Sequence, residues 1–176
     1  EEHLQLMKTR LVRMDSLIDG LLKFSRTGRK QIDIEPCLVK DLLAKVVDSL
    51  CPPAEFSIQA ITELPNLQTK KLLLNQVFAN LLSNVIKHHN RWDGTVRISA
   101  AEKEAHYEFA VADDGPGIEE DERSHIFDIF QTLSEEESSE NTGVGLAIVK
   151  KIVEGENGRL WLESNSPSGC KFCFTW

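Results

Sequence analysis

Asn80, Asn84, Lys87 and His88 are spaced by three and four residues, which on a helix sets them along one side. Helix interiors disfavour asparagine, yet here it recurs one turn apart among leucines. A carboxamide oxygen is a neutral, hard ligand suited to magnesium, which keeps several waters and shares phosphate oxygens. Lys87 adds a point charge for such phosphates. The competing reading has both asparagines bonded within a core, and the helix alone does not separate the two.

Downstream, Asp113 follows the apolar run Phe109-Ala110-Val111-Ala112 and precedes Gly115 and Gly117. A carboxylate at a strand end can accept a hydrogen bond from an exocyclic amine such as that of adenine. The glycines let the backbone turn and approach a flat ligand. Val111 and Ile118 would supply apolar walls. Taken alone, this is also a plain Asp-Gly turn. Gly143-Val144-Gly145-Leu146 opens a helix, whose exposed amides and positive end favour an anion. Neither a Walker A motif nor a Rossmann spacing is present. Phe127 and Phe130 either anchor a lid over the ligand or serve as core aromatics.

The elements that must position these residues follow from periodicity. Leu4, Met7, Leu11, Met14, Ile18 and Leu21 step by three and four as a heptad seam, widened by Leu17, Leu22 and Phe24. This predicts a helix of a dimerising bundle, with a helix packed on its own domain as the alternative. Ser25 to Lys30 reads as its exit. A compact domain begins near residue 30: a short strand at Ile32 to Glu35 ended by Pro36, a helix over 38–50, and a strand over 56–62. A long helix over 69–89 follows, then a hairpin of 95–100 with 106–112. A polar loop or short helix spans 119–124, a helix 144–153, and closing strands 159–163 and 171–176. That mixture predicts an α+β fold, a two-layer sandwich with helices on one face of a mixed sheet.

Charge narrows the partners. The formal net charge is −8, which argues against nucleic acid, and no apolar run is long enough to cross a membrane. Of four cysteines, Cys170 and Cys173 form a C-x-x-C without the second pair that zinc normally needs. On a strand they point to opposite faces, so the expectation is four reduced structural thiols in a cytoplasmic setting.

Taken in order, these segments resemble the catalytic and ATP-binding region of bacterial two-component sensor histidine kinases, of the gyrase, Hsp90, histidine kinase and MutL superfamily. Asn80 to His88 resembles the N box, Asp113 to Gly117 the G1 box, Phe127 to Phe130 the F box and Gly143 to Leu146 the G2 box. Arg13 to Arg26 is similar to the second helix of the family's dimerisation and phosphotransfer bundle. Residues 126–133 and 144–151 are similar to PAS- and phytochrome-linked members.

The resemblance implies a Bergerat-type fold over 30–176 preceded by a partial bundle helix over 1–29. It implies ATP and Mg2+ as ligands, a homodimer, and a response regulator receiver domain as partner. It assigns magnesium to Asn84 with Asn80 beside it, phosphate or ribose to Lys87 and His88, and the adenine amine to Asp113. Gly115, Gly117, Gly143 and Gly145 would shape the pocket and lid, near Ile118, Phe130 and Leu146.

Two departures stand out. The family's phosphoacceptor box, a histidine with an acidic neighbour and a following proline, is absent from this sequence, so the chain alone should not complete autophosphorylation. Residues 131–142 carry four glutamates and no lysine or arginine, where many relatives have a basic residue. This leaves a nucleotide-binding switch without catalysis as an alternative. An anti-sigma-type serine kinase is a further one, disfavoured by the heptad helix. A gyrase- or MutL-like ATPase is disfavoured because Asn80 stands where those members carry a glutamate base.

Overall fold

The structure is a computed structural model that describes residues 7, 11, 14, 18–22, 25, 32–131, 143–165 and 167–176. The described N-terminal residues are helical. Their apolar members stay exposed: Leu11 is 63% and Ile18 56% accessible, so this stripe is not packed on the domain. Leu4, Leu17, Phe24, the exit around Gly28 and the acidic segment 132–142 lie outside the described residues.

Ten elements follow: β1 (Glu35–Leu38), α1 (Val39–Leu50), β2 (Ser57–Ala60), β3 (Asn66–Thr69), α2 (Lys71–His88), β4 (Thr95–Glu102), β5 (Tyr107–Asp113), α3 (Gly145–Gly155), β6 (Leu160–Ser164) and β7 (Cys170–Thr175). The main sheet has the order β2-β4-β5-β7-β6. β2 and β4 run parallel and every other neighbour is antiparallel. A parallel pair needs a crossover, and β3 with α2 supplies it. β1 and β3 form a separate antiparallel ribbon. Residues 119–130 form turns rather than a regular helix.

Burial explains the layers. α2 buries Leu73, Leu74, Val77, Phe78, Leu81, Leu82 and Val85, a stripe at helical spacing. α1 buries Val39, Leu42, Leu43 and Val46. On the sheet, alternation sends Phe109 and Val111 of β5 and Phe172 and Phe174 of β7 into the same core. Phe109 stacks on Phe174 at 5.2 Å, and Phe78 of α2 meets Phe109 edge-on at 5.6 Å. Helix layer and sheet are thus joined through aromatic rings. At the far end, Trp176 Nε1 donates to Thr69 Oγ1 at 2.8 Å and fixes the last strand to β3.

One expected strand is displaced. Residues 32–34 are not strand, and Pro36, expected to terminate it, lies inside β1 opposite Gln68. A two-stranded ribbon has open edges, and proline is tolerated in an edge strand where its missing N–H faces away from the ladder.

Cys170 belongs to the core face of β7, while Cys173, three residues on, is buried outside that cluster beneath the cross-strand neighbour Trp161. Both thiols are free, and burial pushes them up, to about 12 and about 11 respectively.

Candidate nucleotide site

The alternation that buries Phe109 and Val111 also sends Asp113 to the helix side of the sheet, at the C-terminal end of β5. Its side of the strand is therefore a layer interior. The residue is 7% exposed, and burial pushes its carboxyl up, against the lowering pull of two backbone amides. Those amides, Gly115 N–H at 2.9 Å and Cys170 N–H at 3.3 Å, both donate to Oδ1. Among the described residues no donor reaches Oδ2. The arrangement holds one oxygen and leaves the other to accept from a ligand.

The β6–β7 turn clamps this strand end. Asn165 Nδ2 donates to the Asp113 carbonyl at 2.6 Å, and Ser168 Oγ to that of Asp114 at 3.5 Å. Gly169 has φ +101, and a Cβ there would stand 2.0 Å from the Asp113 carbonyl oxygen. Only glycine permits that approach.

α2 carries Asn80, Asn84, Lys87 and His88 as expected. Asn80 Nδ2 donates back to the Gln76 carbonyl at 2.7 Å, which fixes the amide and turns Oδ1 outward from its own helix. That Oδ1 lies 3.2 Å from where a Cβ on Gly145 would sit, so the asparagine oxygen faces the start of α3. Among the described residues no side chain caps α3. With respect to these residues its first amides are open to an anion, and its helix dipole favours one. Asn84 and His88 are half-buried and Lys87 exposed. Burial, with Lys87 beside it, lowers the His88 pKa.

Two carboxamide oxygens suit magnesium, which binds few protein ligands and keeps its waters. Among the described residues no group of three His, Cys, Asp or Glu could hold a metal. The donor set therefore fits an ion shared with phosphates rather than one caged by protein.

The aromatic pair divides. Phe127 is half-buried and meets Phe172 edge-on at 6.5 Å, a core role. Phe130 is 48% exposed. It sits at φ +69, uncommon for a bulky residue. Its N–H donates to the Gly143 carbonyl at 3.0 Å, joining the two ends of the segment between the F and G2 motifs. Of the two expected apolar walls, Val111 is wholly buried in the core, whereas Ile118 is half-buried, as is Leu146 of the G2 motif. Gly115 and Gly117 form the turn after Asp113, Gly117 with φ +84.

Several contributors were missed in the sequence. Asn165 and Gly169 fall between the two expected closing strands and were assigned no role. Asp114, the second acid of the Asp-Asp-Gly run, is bonded to Thr95, His89 and Arg91. Burial alone would raise its carboxyl, but those bonds outweigh it and hold the group below the usual range.

Residues 69–176 match the family described as histidine kinase-, DNA gyrase B-, and HSP90-like ATPase. Phytochrome-like protein Cph1 of Synechocystis is 34% identical over 92% of the chain, which spans 22% of that protein's length. Full-length ShkA in complex with AMPPNP superposes with a TM-score of 0.74 at 26% identity, covering 99% of this chain and 37% of that one. The histidine kinase ThkA, solved with the response regulator TrrA, gives 0.70 at 21% identity over 99% of this chain and 50% of its own, a likeness of fold. The matched family model covers more than half of the sequence, and this chain belongs to the histidine kinase-, DNA gyrase B- and HSP90-like ATPase family, as the ATP-binding catalytic part of a sensor histidine kinase.

Proposed function

We propose that residues 30–176 bind Mg-ATP and present its γ-phosphoryl group to a histidine outside this sequence, from which it passes to an aspartate of a response regulator receiver domain. The observation that carries the reading is Asp113: a buried carboxylate with one oxygen held by two amides and the other open. It would accept the adenine amine, with Ile118 and Leu146 against the base. Asn84 and Asn80 would hold Mg2+, which, when bound, offsets charge between the phosphates. The open α3 terminus behind Gly143 and Gly145 would take phosphate oxygens, and Lys87 with His88 the phosphates or ribose.

The exposed stripe of Leu11, Met14 and Ile18 supports a homodimer through the N-terminal helix, residues 1–29 forming part of a bundle. A cytoplasmic location suits this partner set. The complex of ThkA with its regulator supports the choice of a receiver domain.

Calorimetric titration with Mg-ADP and a non-hydrolysable Mg-ATP analogue tests the site. Binding should vanish in Asp113→Ala and lose its magnesium dependence in Asn84→Ala. A folded wild-type chain that binds neither nucleotide would refute the reading.

A second reading, a nucleotide switch without catalysis, is favoured by Glu135, Glu136, Glu137 and Glu140 in a segment lacking any cation. Four carboxylates this close in sequence to the Gly143–Gly145 motif would repel a triphosphate bound there, although salt screens much of that. Neutralising the first three should tighten ATP more than ADP. Equal effects on both would remove this reading.

A further inference from the structure

A positioning residue for base recognition stands behind Asp114. We propose that His89, the residue after α2, aims the Asp113 carboxylate through Asp114 and Gly115. The proposal rests on Asp113 accepting the adenine amine.

The His89 side chain is 1% exposed. Its ring stands in a slot. Phe56 meets it edge-on at 5.2 Å and 87°. A Cβ on Gly94 would come within 2.6 Å of the ring, and one on Gly115 within 3.3 Å. Backbone thus packs on the imidazole from two sides, where no larger residue fits. Arg91 N–H donates to Nδ1 at 3.1 Å. The Arg91 carbonyl stands at 3.0 Å from the same nitrogen. An ionised Asp114 carboxylate only accepts, which makes Nε2 the donor toward it. Nε2 lies 3.0 Å from Asp114 Oδ1. The same oxygen takes Thr95 N–H at 2.7 Å, and the Arg91 guanidinium bonds the other.

Two routes lead from this ring to Asp113. The first is the backbone: Asp114 N–H also donates to the Thr95 carbonyl at 3.2 Å. Asp114 is therefore fixed at both its main chain and its carboxylate, directly after Asp113. The second is contact: the ring supports Gly115, whose N–H holds Asp113 Oδ1. A shift of this turn re-aims Oδ2 without touching the phosphate side of the pocket. Hydrogen bonds have narrow angular tolerance, so a misaimed carboxylate loses the amine first.

The test compares Mg-ATP with the Mg complex of purine riboside triphosphate, which lacks the 6-amine, by calorimetry on the whole chain. The wild type should prefer ATP. His89→Leu should weaken ATP about tenfold and leave the purine analogue within about twofold, so that discrimination is lost. His89→Gln, which retains a donor toward Asp114, should restore it. Equal weakening of both nucleotides in His89→Leu would mean a purely structural histidine and overturn the proposal, as would no restoration by glutamine. If His89→Leu does not fold, Asp114→Asn takes its place, and full discrimination there overturns the proposal. Discrimination lost in Asp113→Ala but kept in His89→Leu also overturns it and leaves the adenine reading standing. A wild type that does not discriminate overturns the adenine reading itself.

Discussion

Gly143→Ala isolates the junction between the F and G2 motifs. Gly143 has φ +63, a region that disfavours any Cβ by about 1–2 kcal/mol. An added Cβ would also stand 2.5 Å from the Gln131 carbonyl oxygen and 2.7 Å from the Phe130 carbonyl carbon. Both are backbone atoms, so the chain at 130–131 must move. The Phe130 N–H to Gly143 carbonyl bond then breaks, which costs about another 1 kcal/mol. The sum is about 2–3 kcal/mol, or about 30- to 150-fold in Mg-ADP affinity if the junction must close for binding. Gly155→Ala is the control. Nothing lies within 4 Å of its added Cβ, and it ends α3, so binding should be unchanged and thermal stability equal or slightly higher. Calorimetry gives the affinities and a melting curve confirms folding. Wild-type affinity in a folded Gly143→Ala chain would refute the reasoning.

Acidification should separate binding from stability. The Asp113 carboxyl is raised above its ordinary 3.8 by burial, so nucleotide affinity should fall as pH drops through that raised value, earlier than for an exposed aspartate. Its contribution to unliganded stability runs the other way: present below the unfolded value and lost as pH rises through the folded one. Loss of affinity only below the ordinary carboxylate range would contradict this. For the cysteines, iodoacetamide should label exposed Cys51 first, with Cys37, Cys170 and Cys173 protected until unfolding, read by mass spectrometry. Early labelling of Cys170 would mean that the strand end beside Asp113 opens readily. Finally, Leu11→Lys with Ile18→Lys should convert a sedimenting dimer to monomer while leaving Mg-ADP binding intact; an unchanged mass would remove the bundle interface.

Much of the scaffold was legible because its burial is periodic. α2 and α3 each present a long apolar stripe, and β4 alternates through buried Val96 and Ile98. β3 was not legible. Asn66-Leu67-Gln68-Thr69 has one apolar side chain and pairs only with β1, so no pattern marks it. The motif residues were legible by type, but not how they are held. Asn165 and Gly169 reach Asp113 across more than fifty positions of chain, and nothing local in a Ser-Pro-Ser-Gly turn announces that. His89 read as one more residue at the end of a helix. Its role depends on Gly94 and Gly115 leaving room for the ring, which is a property of three-dimensional approach rather than of spacing.

The parallel pairing of β2 with β4 has a consequence for how the molecule assembles. Hairpins such as β4–β5 and β6–β7 close short loops. Ser57 meets Thr95 only after the chain has returned through β3 and α2. Closing such a loop is entropically unfavourable before its contacts form. Asn80 and Asn84 ride on that returning segment, so they reach the β5 strand end only when this loop is shut. Half-built intermediates with a native hairpin therefore have half a site. A ligand spanning both halves stabilises the finished chain alone, by about 2.7 kcal/mol at a hundredfold excess over its Kd. Under the proposed function, nucleotide binding is thereby coupled to the completion of folding.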